Sequence, residues 1–579
     1  MARSLTFCQP LIRTVRRFKL AELLAYFLLA VIATWPLARD GFSCLPQGTE
    51  SSATVPLFNT WTVWWNAEGV DRCWKGYWDA PIFHPTPRTF AFSEPMPTTV
   101  VVAPIFWTTG NRVLAYTSFL LLALTLNGYA TLMLLRCIGL GWLGAAAGGA
   151  IVTFLPMVHN ELGVLQLVPL CGIVWTIHAV YRFGEGPSLP RAGLLATAFS
   201  LTYFTCAYYG LFLSVLLLPA GGWLLAKQLA RPRTYLTLLA AVAIWAIAVS
   251  PVVMVQRQVA REHELHRSRE LVSRLSAEPA DYLATPWPGL AEPDAMRELR
   301  TKADFSLGPG LLKPLLALVG VCVGFKIKRF RYWTAFCFTA LCSAWILSLG
   351  PRLSWHDFGL YTLLMDWYPG FAQVRSAFRF AMFVQLMIAL LAALGIHAIA
   401  CFATRRTSRL AKLMALGAAA AVGVLAVIEV LPARQAMFPV PAVARQRGWI
   451  DWLKSETPSD CVVACVPFPQ GKRTRDYEDT TLWMYWATFH KRRLVNGYSG
   501  FFPQSFLRLK KAMSDFPDER SLRLLGASGV THCVVRRSSV PQTAFSSGPA
   551  SDQLSLVFAD DDAEVDIYRL RTTRDATDG

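Results

Sequence analysis

Apolar stretches recur along almost the whole chain, and each is long enough, at about 17–25 residues, to cross the hydrocarbon layer of a bilayer as an α-helix. Hydrophobic residues make up 54% of the 579 residues and charged residues only 16%, whereas about a quarter of a soluble domain is charged. The sequence therefore predicts a mainly α-helical, multi-pass membrane protein that contacts the lipid bilayer along most of its length. About eleven transmembrane helices are expected, at 20–38, 111–135, 139–157, 162–181, 191–206, 208–226, 234–255, 309–325, 332–350, 378–402 and 411–431.

The formal net charge of +18 has two explanations. In a soluble protein it would suggest a nucleic-acid partner, but in a membrane protein lysine and arginine collect in the cytoplasmic segments. The basic residues here follow the second pattern, because they cluster in alternate connecting segments. We therefore expect a cytoplasmic N-terminus, an extracytoplasmic C-terminal region and no nucleic-acid partner. The predicted cytoplasmic clusters are Arg13 to Lys19, Arg136, Arg182 with Arg191, Lys227 with Arg231 and Arg233, Lys326 to Arg331, and Arg405 to Lys412.

The hydrophilic mass of the chain is concentrated on the predicted external face. We expect a basic cytoplasmic tail at 1–19, a transmembrane domain at 20–431 and an extracytoplasmic domain at 432–579. Within the transmembrane domain, residues 39–110 and 256–308 form large external loops. The C-terminal domain alternates helical periodicity, as in RGWIDWLKSE, with strand-like runs such as CVVACVPFP and VTHCVVRR, which predicts a small α/β fold.

The first external loop begins with a stretch that is dense in aromatic residues, TESSATVPLFNTWTVWWNAEG (Thr49 to Gly69). It carries Trp61 and Trp65 behind the isolated acid Glu50. Tryptophan rings suit the headgroup level of a bilayer, and their flat faces also stack on sugars. Two interpretations are therefore open: an interfacial aromatic belt, or one wall of an external groove for a lipid-linked sugar.

Motifs spread over most of the chain resemble bacterial membrane proteins of the GT-C glycosyltransferase type. In the first loop these are LFNTWTVWWNA, YWDAPIFHPTPRTFAFSEP and TTGNRVLAYTSFLLLALTLNGYA, followed later by AYYGLFLSVLL and PGFAQVRSAFRF. The C-terminal region adds WATFHKRRLVNGYSGFFPQSF and SLRLLGASGVTHCVV. The resemblance implies a GT-C fold in a bacterial inner (cytoplasmic) membrane. It also implies inverting transfer of a sugar from a polyprenyl-phosphate carrier to an extracytoplasmic glycan, lipid or protein acceptor.

The resemblance further implies a catalytic acid in the first external loop, since an acceptor hydroxyl needs a base within hydrogen-bond reach. Many relatives carry a Gly-Asp pair just before the segment that corresponds to Leu57, but Thr54 to Pro56 contain no acid. The candidates for that role are Glu50, Glu94 in FSEP and Asp79 in YWDAP. Glu94 and Asp79 also have the structural interpretation of turn or helix-capping acids.

Several residues are candidates for binding the substrate. Arg375 and Arg379 are four residues apart, so they would share one face if helical, and they could hold the phosphate or simply extend toward the interface. His159 lies in a polar turn between two spans, and Tyr498 lies in NGYSGFFP, which is either an acceptor pocket or a tight turn. The predicted substrate-binding residues are Trp61, Trp65, Arg88, His159, Arg375, Arg379 and Tyr498.

No metal ligands are assigned, because the 13 cysteines show no zinc-site spacing, although the resemblance leaves a divalent cation open as a cofactor. Cys44 and Cys73 in the first loop are candidates for a disulfide. Walker, Rossmann, HExxH and GxSxG motifs are absent from the sequence, which disfavours ATP-driven transport and common hydrolases. Besides a glycosyltransferase, two alternatives stay open: a non-catalytic envelope assembly factor, which the missing Asp favours, and a lipid or polysaccharide transporter.

Overall fold

Helices dominate the structure, a computed structural model that describes residues 8–47, 51–290, 292–353, 359–403, 408–546 and 549–571. The mainly α-helical fold expected from the apolar stretches is confirmed. Helices of the N-terminal part are α1 (Cys8–Ala33), α2 (Leu37–Asp40), α3 (Thr54–Asp71), α4 (Ala103–Thr109), α5 (Arg112–Ile138), α6 (Trp142–Thr153), α7 (Pro156–Asn160), α8 (Cys171–Glu185), α9 (Leu189–Thr205), α10 (Ala207–Leu225), α11 (Pro232–Glu262), α12 (Arg269–Arg274), α13 (Asp294–Lys302), α14 (Leu312–Lys326), α15 (Arg331–Ser348), α16 (Leu360–Trp367), α17 (Ala381–Ala403) and α18 (Arg409–Ile428).

Length and composition identify the helices that can cross a membrane. In the described residues, 7 helical segments are long and apolar enough to span: Arg112–Ile138, Trp142–Asn160, Leu165–Glu185, Ala207–Leu225, Pro232–Glu262, Ala377–Phe402 and Leu410–Ile428. The chain is a multi-pass membrane protein. The other four predicted spans coincide with the helices α1, α9, α14 and α15, which do not meet both criteria, so the total of eleven spans stays a prediction.

The long helices differ in which surfaces they cover. α17 is apolar on all sides and buried along most of its length, as expected for a helix at the centre of a bundle. α11 instead exposes apolar side chains such as Leu236 and Ile247. Apolar surface of this extent is stable against lipid and not against water, so α11 lies at the periphery.

Small residues let α14 and α17 approach each other closely. A Cβ atom added at Gly320 would overlap the backbone carbonyl of Leu391, and one added at Gly395 would overlap that of Leu316. Close backbone contact of this kind stabilises helix pairs in membranes, where burial of apolar surface between helices gains little.

The C-terminal region folds as the expected small α/β unit. The strands and the remaining helices are β1 (Cys44–Pro46), β2 (Met437–Pro439), α19 (Arg447–Glu456), β3 (Val462–Val466), α20 (Glu478–His490), β4 (Arg493–Leu494), α21 (Gln504–Ala512), α22 (Glu519–Ala527), β5 (His532–Arg536), α23 (Pro549–Gln553), β6 (Leu554–Asp560) and β7 (Val565–Leu570). The C-terminal sheet has the order β4-β3-β5-β7-β6, with β3 parallel to both β4 and β5, and with β7 antiparallel to both β5 and β6. β3 is buried along its whole length, which is typical of a central parallel strand.

The first loop and the C-terminal region pack together at one end of the helix bundle. β1 pairs antiparallel with β2, which joins the two regions by backbone hydrogen bonds. Glu68 at the end of α3 forms an ion pair of 2.6 Å with Lys491 after α20. The backbone N–H of His84 donates to the carbonyl of Leu494 at 2.9 Å, which extends the β4 edge. Which side of a membrane this end faces stays a prediction.

The aromatic stretch of the first loop forms a helix whose tryptophans lie in the protein interior. Trp61 and Trp65 on α3 are 0% and 3% exposed and stack with ring centroids 6.2 Å apart. Their large apolar area is buried because α3 lies between α5 and α20. Cys44 and Cys73, the two candidates for a disulfide, are both free.

Candidate functional site

A cavity of about 930 Å³ lies between the helix bundle and the C-terminal domain. This volume is in the range of small-molecule binding sites. Its walls come from the first turns of α3, the loop at 91–94, the start of α10, the end of α11 with the segment that follows, residues 365–379 and residues 498–501. The cavity is therefore assembled from segments that are distant in the sequence.

The cavity carries an excess of positive charge. Asp366 is already paired with Arg269 at 3.0 Å, which leaves Glu94 as the acid without an ion pair among the described lining residues. An arginine-rich cavity with apolar walls suits an anion such as a phosphate, to which the planar guanidinium group donates hydrogen bonds. The charged residues that line it are Arg257, Arg261, Arg267, Arg375, Arg379, Glu94 and Asp366.

Glu94 is placed by the first turn of α10. Its Oε1 accepts a hydrogen bond of 3.0 Å from the backbone N–H of Tyr208, one of the N–H groups that a helix start leaves without an intrahelical partner. Its Oε2 is buried and has no hydrogen-bond partner in the described part of the chain. Burial raises the pKa of Glu94 to about 7, although the Tyr208 N–H and the positive charge of Arg379 oppose that shift. A carboxyl group with this pKa can accept a proton at neutral pH.

Arg379 and Arg375 lie between two cavities. Both line the large cavity and a neighbouring one of about 230 Å³, which is also bordered by Glu161 and Thr474. Arg379 is buried, its guanidinium carbon lies 5.2 Å from the ring centroid of Tyr208, and its Nε has no partner among the described residues. The two arginines are not on one α-helix, because only a 3₁₀ turn, Ala377–Phe380, precedes α17. They nevertheless face the same space.

Arg267 holds together three parts of the cavity mouth. Its backbone N–H donates to the carbonyl of Ala372 at 2.9 Å, and its Nη2 donates to the carbonyl of Gly500 at 2.5 Å. Its guanidinium carbon lies 3.6 Å from the ring centroid of Phe501. Burial lowers the pKa of Arg267 to about 10, so the side chain is still a cation at neutral pH. Neither a motif nor a periodic pattern in the sequence marks this residue as part of a site.

Comparison with solved structures gives the fold a known counterpart. The arabinofuranosyltransferase AftD from Mycobacteria matches 96% of this chain at 14% sequence identity, with a TM-score of 0.52. The chain shares the fold of GT-C membrane glycosyltransferases. A mutant form of AftD gives a TM-score of 0.55 at the same identity and coverage of this chain. The expected GT-C resemblance is thus confirmed at the level of the fold.

The match to AftD is partial in the other direction. This chain covers 40% of the length of the AftD chain. ArnT from Cupriavidus metallidurans matches 96% of this chain and 98% of its own at 12% identity, but a TM-score of 0.46 is too low to support a conclusion. No protein-family model and no curated protein matches the chain.

Within this GT-C-type fold, four of the predicted site residues share the large cavity: Glu94, Arg375, Arg379 and Tyr498. Tyr498 packs edge-on against Phe58 of α3 with ring centroids 5.5 Å apart. Glu50, the first candidate for the catalytic acid, lies outside the described residues. The prediction therefore found three of the seven charged residues in the described lining and missed the segment that carries Arg257, Arg261 and Arg267.

Two predicted residues of the first loop form a local contact outside the cavity. Asp79 is exposed, and its Oδ1 accepts a hydrogen bond of 2.8 Å from the backbone N–H of Arg88, whose φ of 53° lies in the left-handed region. The Arg88 side chain pairs with Glu262 at 2.7 Å. Neither residue is among the described residues that line the large cavity. Asp79 thus has the turn-stabilising contact that was its structural interpretation.

Three other predicted residues are buried in the packed interior. Trp61 and Trp65 are 0% and 3% exposed, and the Nε1–H of Trp65 donates to the carbonyl of Tyr77 at 2.9 Å. His159 is 1% exposed, with Nε2 2.8 Å from the carbonyl of Thr153. In the described part of the chain, none of the three contributes to the large cavity lining.

Proposed function

We propose that the chain is an integral membrane glycosyltransferase that transfers a sugar from a polyprenyl-phosphate carrier to an extracytoplasmic lipid, polysaccharide or protein. The observation that carries the proposal is Glu94. Its carboxylate has one buried oxygen, Oε2, without a partner among the described residues, and Glu94 shares a cavity with Arg375 and Arg379. A base and a cationic anion site in one cavity are the two groups that glycosyl transfer from a phosphate requires. The GT-C-type fold agrees with this assignment.

In the proposed reaction Glu94 acts as the general base. The acceptor hydroxyl gives its proton to the free Oε2, and the acceptor oxygen forms a bond to the anomeric carbon of the sugar. The bond between that carbon and the phosphate oxygen breaks, and the phosphate leaves with the electron pair. Arg375 and Arg379 stabilise the charge that develops on the leaving phosphate, which is their main contribution to lowering the barrier. Attack opposite the leaving group inverts the anomeric configuration.

The lipid carrier would reach the cavity from the bilayer. Part of the lining is apolar and comes from membrane-facing elements, namely Leu211 of α10, Trp245 of α11 and Trp367 of α16. α16 exposes Leu360 and Trp367, and Trp367 is 81% exposed, as expected of a helix that lies against lipid. A polyprenyl tail can leave the cavity past these side chains while its phosphate stays at the arginines. This supports a lipid-linked donor over a soluble one.

The proposed site lies on the outer face of a bacterial cytoplasmic membrane. The orientation rests on the clusters of lysine and arginine in the predicted cytoplasmic segments. The first loop and the C-terminal domain, which contact each other, would then both be extracytoplasmic. Labelling of single cysteines from outside the cell tests this arrangement, and residues 39–110 and 432–579 should react together.

The decisive test compares Glu94→Gln with wild type in lipid nanodiscs. The probes are farnesyl phosphate for binding and a panel of farnesyl-phosphoryl sugars for turnover, with and without EDTA to test for a divalent cation. We expect Glu94→Gln to bind farnesyl phosphate normally and to lose transfer by about 100-fold or more, the usual contribution of a general base. The matched control is Glu298→Gln, because Glu298 is exposed on α13 and its side chain pairs with Lys302 at 2.5 Å, outside the described cavity lining.

A cell-based comparison separates this proposal from the alternatives. Mass spectrometry of envelope glycans and lipid-linked sugars should show the same defect in a deletion strain and in a Glu94→Gln strain. A defect in the deletion strain that Glu94→Gln fully restores would contradict the proposed base and favour an assembly factor or a transporter.

A further inference from the structure

Two amide side chains in the lining of the large cavity have no role in the proposed reaction. Asn59, on α3, is 1% exposed, and its Nδ2 has no hydrogen-bond partner in the described residues. Gln166, in the 3₁₀ turn Leu165–Leu167, has a buried Oε1 that also lacks a partner there. Both residues line the large cavity. Buried polar atoms are nearly always paired in folded proteins, so these two indicate a hydrogen-bonding ligand.

The amides border the part of the cavity where the phosphate would sit. Val55, one helical turn before Asn59, and Val164, two residues before Gln166, both line the large cavity and its smaller neighbour. Arg375 and Arg379 line the same two cavities. Asn59 and Gln166 therefore lie beside the junction that the two arginines border. The group that is bonded directly to a phosphate held there is the sugar of the donor.

The chemistry of the amides restricts which sugar fits. An amide offers one donor group and one acceptor group and carries no charge, and rotation about its last bond only exchanges the two. A hydroxyl group, which also donates and accepts, matches this pair. The uncharged amides cannot form an ion pair with an ammonium or carboxylate group, and the two arginines at the junction are taken by the phosphate. The ring of Phe58, the neighbour of Asn59, lines the same space and offers an apolar face for a sugar ring.

We propose that Asn59 and Gln166 select the donor by hydrogen bonds to the hydroxyl groups of its sugar, and that this sugar is neutral. The proposal rests on the proposed function, since it concerns the same cavity, and it adds the class of sugar and the two residues that recognise it. A site built to pair with hydroxyl groups discriminates strongly against analogues that lack them, because its own buried groups are then left unpaired.

The test measures dissociation constants in nanodiscs for farnesyl phosphate and for farnesyl-phosphoryl sugars. The neutral set contains arabinofuranose, glucose, galactose and mannose, and the charged set contains glucosamine and glucuronic acid. We expect a neutral member to bind about tenfold or more tighter than farnesyl phosphate itself. Asn59→Leu and Gln166→Leu should each reduce this gain about tenfold and leave the affinity for farnesyl phosphate unchanged. The matched control is Gln228→Leu, because Gln228 has a buried unpartnered Oε1 but is not among the described lining residues.

Monodeoxy analogues of the best neutral sugar keep the test valid even if a leucine variant fails to fold, since they are measured with wild type. The proposal is overturned if every monodeoxy analogue binds as tightly as its parent, if a charged sugar binds best, or if both folded variants keep the full gain. Absence of farnesyl phosphate binding would instead remove the proposed function. Binding of farnesyl phosphate with no gain from any sugar would remove only the sugar selection proposed here.

Discussion

The backbone N–H of Tyr208 donates a hydrogen bond of 3.0 Å to Glu94, so a carboxylate of the first loop caps the start of α10. The same contact leaves the other carboxylate oxygen buried and without a partner in the described part of the chain. A helix N-terminus stabilises a nearby negative charge, while burial destabilises it. These two effects hold Glu94 in place and give its carboxyl group a pKa of about 7, so its charge changes near neutral pH.

The transfer rate should depend on pH through Glu94. Burial raises its pKa to about 7, and a general base works only when deprotonated. We therefore expect kcat/KM to rise tenfold per pH unit below about pH 7 and to level off above it. The measurement is a pH profile of transfer with a farnesyl-phosphoryl sugar. A profile that is flat from about pH 5 to pH 8 would exclude Glu94 as the base.

Glu94→Gln should stabilise the protein, and only at higher pH. A carboxyl group whose folded-state pKa is raised from 4.5 to about 7 destabilises the fold as pH rises through that window. Removing the charge should therefore raise the free energy of unfolding by at most about 3 kcal/mol near pH 8 and by almost nothing near pH 4.5. Thermal melting of the purified protein at both pH values measures this. Glu298→Gln, an exposed change, should shift neither melting temperature.

Arg379 should contribute more to phosphate binding than its charge alone provides. Loss of charge-assisted hydrogen bonds from a buried guanidinium weakens binding by about 1.5–3 kcal/mol, so Arg379→Ala should raise the Kd for farnesyl phosphate about tenfold or more. Arg379→Lys should restore only part of the affinity, because an ammonium group lacks the planar pair of donors. Titration in nanodiscs gives the Kd values. Arg88→Ala is the control, since Arg88 pairs with Glu262 outside the described cavity lining, and a similar loss there would indicate a nonspecific charge effect.

Arg267 should hold the C-terminal domain over the cavity. Its contacts with Gly500 and Phe501 are of the kind that stabilise by about 1–2 kcal/mol together. Arg267→Ala should accelerate amide hydrogen exchange in residues 498–502 about 5- to 30-fold, with little change elsewhere in the sheet. Mass-spectrometric exchange measures this, and Arg274→Ala, on the exposed side of α12, is the control. Equal exchange in both variants would show that the contact does not restrain the segment.

The crossing of α14 and α17 should not accept even a methyl group. A Cβ at Gly320 overlaps the carbonyl of Leu391, so Gly320→Ala must displace one of the helices and should cost about 1–3 kcal/mol. Gly417→Ala on α18 is the matched control, because a Cβ there meets nothing within 4 Å. It should be neutral or stabilise by up to about 1 kcal/mol through helix propensity. Melting temperatures in one detergent compare the two, and equal values would contradict the close contact.

Much of the fold follows from local patterns. The apolar stretches predicted the helices of the bundle, and the runs around Val462–Val466 and His532–Arg536 predicted two strands of the C-terminal sheet. These predictions succeed because a membrane helix must satisfy its own backbone hydrogen bonds, and a buried strand must be apolar on both faces. The same patterns misplaced the tryptophans of α3. An aromatic helix beside a membrane has the same composition whether it faces lipid, a ligand or another domain.

The cavity could be predicted only in part. The sequence by itself determined that the chain lies in a membrane and that its helices are apolar enough to pack there. It also marked Glu94, Arg375 and Arg379 as candidate functional residues, because charged side chains near lipid are energetically costly. Only the tertiary structure decided that these three face one space with Tyr498, while Asp79, Arg88 and His159 do not. It also brought in Asn59, Gln166 and Arg267. Hydrophobicity and helix periodicity act over a few neighbouring residues. The meeting of α3, α10, residues 365–379 and the C-terminal domain depends instead on packing between segments hundreds of residues apart.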